Sequence, residues 1–192
     1  MLLRNRPPRL DNRPEVPASG FEHLAPSSLA VTRWLAANRV DYVLVGPVAR
    51  AIRGGGGHDG PIAIVAAPYG RNLDRLARAL SSAHARERRE HEPGGHGSDV
   101  AGPALRLTAE KLLRPERWAL RCGEHELDVE GHAPEGPRYQ DLVYEATRFQ
   151  LGPELAVEVA AAEHIEHFEH VRRTGAVPEI RVSRLTREPE PS

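Results

Sequence analysis

The sequence predicts an α+β fold in which helices flank a β-sheet. Residues 42–45 and 62–65 are short runs rich in Val and Ile, each bounded by turn-forming residues, and such runs are typical of buried strands. Between them, residues 47–52 carry apolar side chains at helical spacing. Residues 118–121 and 125–129 lie on either side of a glycine turn, which predicts a β-hairpin.

Length and charge limit the possible organisation and partners. The chain has 192 residues, which is enough for one domain with its own core and too short for two ordinary domains. Its 26 basic residues balance 27 acidic residues, so the formal net charge is -1. This balance does not by itself indicate nucleic acid or a membrane surface as the partner.

The number of cysteines and the N-terminal residues indicate the cellular compartment of the protein. The single cysteine, Cys122, excludes an intramolecular disulfide and a cysteine-rich zinc site. Leu2 and Leu3 are followed by Arg4, so the apolar core of a signal peptide is missing, and no segment has the length and apolarity of a membrane span. We therefore expect a cytoplasmic protein without a membrane partner.

Composition along the chain predicts one folded domain with two tails. Residues 1–25 are rich in Arg and Pro and poor in apolar residues, which predicts a disordered arm. The domain is expected over residues 26–178, with a mobile insertion at 86–103 where charged residues and glycines break all periodicity. Residues 179–192 are expected to be a C-terminal tail.

Several side chains are candidates for helix N-caps. Ser27 or Ser28 can cap a helix that ends near Asn38, because the side chains between them are apolar at helical spacing. Asn72 can cap a helix with inward-facing leucines, and Thr108 can cap a short helix before the hairpin. The alternation of helical and extended patterns is consistent with the α+β class.

Two of these segments resemble a known family. The run VGPVARAIRG, which begins at Val45, and the run NLDRLARAL over residues 72–80 resemble the nucleotidyltransferase superfamily with the DNA polymerase beta-like fold. The resemblance is to its small bacterial members related to abortive-infection toxins, and it spans about residues 28–178. It implies a mixed β-sheet flanked by helices.

The resemblance also implies a metal site, from which this sequence departs. Family members carry Asp-x-Asp on the strand after the glycines, where this chain has Pro61 and Ala63, and neither side chain can ligate magnesium. Asp128 matches the third metal-binding aspartate, on the second strand of the hairpin. Asp59 is the carboxylate nearest to the strand after the glycines, and it lies just before that strand. Both are candidate catalytic residues, and magnesium is expected as a cofactor only if the protein is active.

Other residues are candidates for ligand contacts. The resemblance places Gly46, Arg50 and Gly54 beside a bound nucleotide, although the residue after Gly46 is a proline and lacks the N–H that family members offer to phosphate. In the segment EHIEHFEH, His164 and His167 are three residues apart on a predicted helix and could bind zinc or nickel. A solvated polar helix face explains the same pattern.

The sequence is consistent with three functions. The first is a nucleotidyltransferase-like protein without transfer activity, which binds a nucleotide or a partner protein. The second is an active metal-dependent transferase that uses Asp59 and Asp128. The third is nucleic-acid binding through residues 1–25 and the arginines at 86, 88 and 89, for which the affinity would fall steeply with salt.

Overall fold

The computed structural model describes residues 7–11, 16–55, 60–88, 105–133 and 136–175. The elements in this part of the chain follow one another in the order α1 (Pro26–Ala37), β1 (Tyr42–Val45), α2 (Gly46–Ile52), β2 (Ile62–Ala66), α3 (Gly70–Ser82), β3 (Arg86–Glu87), α4 (Ala109–Leu112), β4 (Trp118–Cys122), β5 (His125–Val129), α5 (Tyr139–Glu145), β6 (Thr147–Gly152), β7 (Leu155–Val159) and α6 (Ala162–Thr174). Strands and helices alternate along most of the chain, as the sequence pattern predicts.

The seven described strands form one sheet in the order β3-β4-β5-β2-β1-β7-β6. Strand β1 pairs antiparallel with β2 and parallel with β7, and β2 pairs parallel with β5. The predicted hairpin is the antiparallel pair of β4 and β5. The sheet is therefore mixed, and the prediction of an α+β fold with helices around a mixed sheet is confirmed.

The core lies around the two central strands. All five residues of β2 and the last three of β1 are buried, which explains why these strands read as continuous apolar runs rather than as alternating ones. Helix α1 contacts β2, β5 and β7, and α6 contacts α2 and β1. Full burial of a Leu or Ile side chain contributes about 1.5–3 kcal/mol, so these strands carry much of the stability.

The helix starts differ in part from the prediction. Helix α1 begins at Pro26, one residue before the expected serine caps, and its N-cap makes no side-chain hydrogen bond. Asn72 lies inside α3, where its side chain accepts from the Asp41 N–H and donates to the Asp41 and Ala67 carbonyls. It therefore ties α3 to the start of β1 instead of capping a helix. Thr108 caps α4 as predicted, accepting from the Lys111 N–H.

The structure describes parts of the predicted arm and of the predicted insertion. Within the predicted arm, the Pro8 carbonyl accepts from Trp34 Nε1 at 3.1 Å and from Asn38 Nδ2 at 3.3 Å, and Leu24 is buried. Strand β3 lies inside the predicted insertion. The sequence did not predict this strand, because two residues are too few to show the alternation of a strand. Most of that insertion and the whole predicted tail lie outside the described residues.

Cys122 is buried in β4, and burial raises the pKa of its thiol to about 12. Because the thiolate is the reacting species, we expect no labelling of the native protein by a disulfide reagent at pH 8, and one equivalent of labelling in denaturant. A Cys122→Ser variant, which has no thiol, gives the baseline. Fast labelling of the native protein would contradict the packing of β4 described above.

Candidate functional site

Asp128 lies on a row of side chains that crosses the sheet. In the β2–β5 pair it stands beside Ala63, and in the β4–β5 pair beside Ala119. Residues that face each other across neighbouring strands project to the same side of a sheet, so the carboxylate has small side chains on both sides. Its side chain is 1% exposed. A buried carboxylate requires compensating charges.

Two arginines supply those charges. Arg88, which directly follows β3, places Nη1 2.7 Å from Glu126 Oε2 and Nη2 2.7 Å from Asp128 Oδ1. Arg172 of α6 hydrogen-bonds Glu130, and its Nη2 is 3.4 Å from Asp128 Oδ2. The side chains of Arg88 and Arg172 are only 16% and 21% exposed. One cation beside Asp128 thus comes from the residue after β3 and the other comes from α6.

Glu126, Asp128 and Glu130 alternate along β5 and the residue that follows it, so they project to one side of the sheet. Burial raises the pKa of Asp128 above its ordinary value, and the guanidiniums of Arg88 and Arg172 oppose this rise. Burial also raises the pKa of Glu130, again opposed by Arg172. The arginines thus offset part of the cost of keeping these carboxylates charged.

Gly46, predicted to contact a nucleotide, begins α2 directly beside this row. Its φ is +71°, and a Cβ placed on it would lie 3.0 Å from Ala63 Cβ and 3.5 Å from Arg172 Nη2. The glycine therefore lets the start of α2 approach both β2 and α6 closely. Pro47 follows in the first turn and packs against Gly60, where a Cβ would lie 3.2 Å from the Pro47 Cβ.

The other predicted nucleotide contacts lie further along α2. Arg50 hydrogen-bonds Glu169 of α6 through both Nε and Nη2, and this bond raises the pKa of the guanidinium. Gly54 follows the end of α2 with a φ of +90°. Gly46 and Arg50 therefore both lie where α2 meets α6, with Gly54 beyond them. Asp59, the second candidate carboxylate, lies outside the described residues.

The histidines of α6 have separate surroundings. His164 Nε2 is 2.9 Å from Glu145 Oε2 of α5, whereas His167 stacks edge-on against Phe168. Burial lowers the pKa of His167, as do the nearby His164 and His170. Within the described part of the chain, no three His, Cys, Asp or Glu side chains are grouped so that they could hold a metal ion.

Two comparisons with known proteins found no match to this chain. No protein-family model matches it. No curated protein shows significant similarity to it. Of the helices that the structure describes, none has both the length and the apolarity needed to cross a membrane.

The sequence pattern singled out Asp128, Gly46 and Arg50 as candidates, but it did not indicate the partners of Asp128. The alternation of acidic residues over 126–130 was a usable signal for Glu130. Arg88 belonged to an irregular charge run, and Arg172 is 44 residues away from Asp128 in the chain, so neither pairing was visible before the strands and α6 were placed.

Proposed function

We propose that this protein is a nucleotidyltransferase-like binding module that does not transfer nucleotides. The observation that carries the proposal is the double contact of Asp128 with Arg88 and Arg172, next to Ala63. On the resemblance to the nucleotidyltransferase superfamily, Ala63 and Asp128 occupy positions of metal-binding aspartates. Here those positions hold a methyl group and one carboxylate, and two arginine cations lie against that carboxylate.

The local layout supports the superfamily assignment. Strand β1 leads directly into the short α2 at Gly46, β2 returns antiparallel beside it, and β5 lies next to β2. This arrangement brings Ala63 and Asp128 side by side, as two ligands of one metal site would have to be. The positions remain adjacent although their chemistry has changed.

Electrostatics argue against a magnesium ion at this row. Magnesium takes oxygen ligands in octahedral geometry and usually needs more than one carboxylate or phosphate oxygen. Each oxygen of Asp128 already faces a guanidinium, at 2.7 Å for Oδ1 and 3.4 Å for Oδ2. A divalent ion entering here would meet two positive charges, and Pro61 and Ala63 would offer it no ligand.

A thermal-shift titration with ATP, CTP, GTP and UTP, each with and without magnesium, tests the proposal. A ligand that binds only the native state stabilises it by about 2.7 kcal/mol at 100 times its Kd. We expect magnesium to make no difference with any nucleotide. A shift without magnesium would identify a nucleotide sensor, whereas no shift at all would identify a module for a partner protein.

An incorporation assay with labelled nucleotides provides the decisive control. We expect no transfer by the native protein with magnesium or manganese. Transfer that is lost in an Asp128→Asn variant but kept in an Asp141→Asn variant would overturn the proposal, since Asp141 is an exposed carboxylate on α5. The enzyme alternative with Asp59 and Asp128 would then take its place.

A further inference from the structure

Residues 7–11 lie against the folded domain, although they belong to the predicted arm. The Pro8 carbonyl accepts hydrogen bonds from the indole N–H of Trp34 on α1 and from the side-chain amide of Asn38, which follows that helix. Leu10 is half-buried and packs against the core, whereas the residues on either side of it are exposed. We call residues 7–11 the strap.

The strap forms one wall of a cavity of about 800 Å³. The other walls are residues 82–84, at the C-terminal end of α3, and residues 122–125, around the turn of the β4–β5 hairpin. Leu10 and Cys122 both line this cavity, and Cys122 is only 2% exposed. Small-molecule sites have volumes of about 300–1,000 Å³, so the cavity is large enough for such a ligand.

Few contacts hold the strap in place. Within the described part of the chain, it is tied to the domain by the two hydrogen bonds to the Pro8 carbonyl, and its charged side chains, Arg9 and Asp11, form no ion pair there. Ordering the strap costs conformational entropy, which hydrogen bonds between uncharged groups and one half-buried leucine offset only in part. The two prolines limit this cost because their φ angles are already fixed. The closed position of the strap is therefore only weakly favoured.

We propose that the strap opens and closes this cavity while the rest of the domain stays folded. Leu10 and the two donors, Trp34 and Asn38, hold the closed position. In the open position these donors bind water instead, and the cavity beside Cys122 becomes accessible to a small molecule. The strap is a gate that lies apart from the row of side chains around Asp128, so this inference does not depend on the function proposed above.

Labelling of Cys122 by a disulfide reagent at pH 8, in the native full chain, tests the inference. Leu10→Ser removes the apolar anchor of the strap, and the burial of half a leucine side chain corresponds to roughly a tenfold change in the opening equilibrium. We therefore expect Leu10→Ser to be labelled at a rate at least about tenfold above the detection limit at which the unaltered chain remains unlabelled. Asp11→Ala changes an exposed strap residue that does not line the cavity, and it should behave like the unaltered chain.

The urea dependence of the labelling rate separates opening of the strap from unfolding of the domain. Opening of the strap exposes little surface, so the rate for Leu10→Ser should hardly change up to about 1 M urea. No faster labelling of Leu10→Ser would overturn the inference. A rate that rises with urea as steeply as global unfolding, or an equal acceleration in Asp11→Ala, would also overturn it.

Discussion

Replacing Arg172 with Met is expected to lower the free energy of unfolding by about 3–5 kcal/mol at pH 7, the usual cost of removing one partner from a buried ion pair. The change leaves Glu130, which is buried, without the guanidinium that hydrogen-bonds it, and it removes one of the two cations beside Asp128. Urea denaturation followed by circular dichroism measures the loss.

The loss should depend on pH in a defined direction. Without Arg172, the pKa of Glu130 in the folded protein should rise further, because burial already raises it and Arg172 opposes that rise. A raised carboxyl pKa stabilises the fold below the unfolded pKa, and this stabilisation is lost as the pH rises through the folded pKa. The difference between variant and unaltered protein should therefore shrink as the pH falls from 7 towards 5.

Two further variants test the cause of this loss. Arg173→Met, at the exposed neighbouring position on α6, should change stability by less than about 0.5 kcal/mol. Adding Glu130→Gln to Arg172→Met should recover part of the loss, since no buried charge then remains at position 130. A small, pH-independent loss would show that Arg172 does not balance these carboxylates.

Gly46→Ala is the second substitution expected to have a large effect. Its backbone lies in the left-handed region, which costs about 1–2 kcal/mol for a residue with a Cβ. The new methyl group would also lie 3.0 Å from Ala63 Cβ and press on the Arg172 guanidinium, and overpacking of this kind costs about 1–3 kcal/mol. We expect a combined loss of about 2–5 kcal/mol in the free energy of unfolding.

Gly54→Ala separates the two contributions. Gly54 also has a positive φ, but a Cβ placed there would meet no heavy atom of the described residues within 4 Å. It should therefore lose only the backbone contribution, about 1–2 kcal/mol. If Gly46→Ala and Gly54→Ala lowered the free energy of unfolding equally, the close approach of α2 to β2 and α6 would not contribute to the loss.

Much of the sheet could be predicted because its strands differ from their surroundings in local pattern. Strands β1 and β2 are apolar on both faces, and β4 and β5 alternate around a turn, so each is visible within a few residues of sequence. The position of Asp128 on the hairpin was predicted as well. These features depend on local preferences, which sequence patterns report directly.

The missed features depend on contacts between distant segments. Strand β3 has two residues and exists only because it pairs with β4, so it had no pattern of its own. Asn72 was expected to cap a helix, but its amide is used by the backbone of Asp41, 31 residues earlier. The pairing of Arg88 and Arg172 with Asp128 was not predicted, because it also joins segments that are distant in the chain. Polar side chains have several possible partners, and tertiary structure chooses among them.

The order of strands in the sheet has a consequence for how the chain folds. Strand β1 pairs with β7, which lies more than 100 residues later in the chain. Strand β2 likewise pairs with β5, which is also distant in the chain. Contacts between such distant segments slow folding, because a long loop must close before they form. During synthesis, the hydrophobic β1 would remain an open edge until the last strand emerges, and this edge is a natural binding site for a chaperone or a starting point for aggregation.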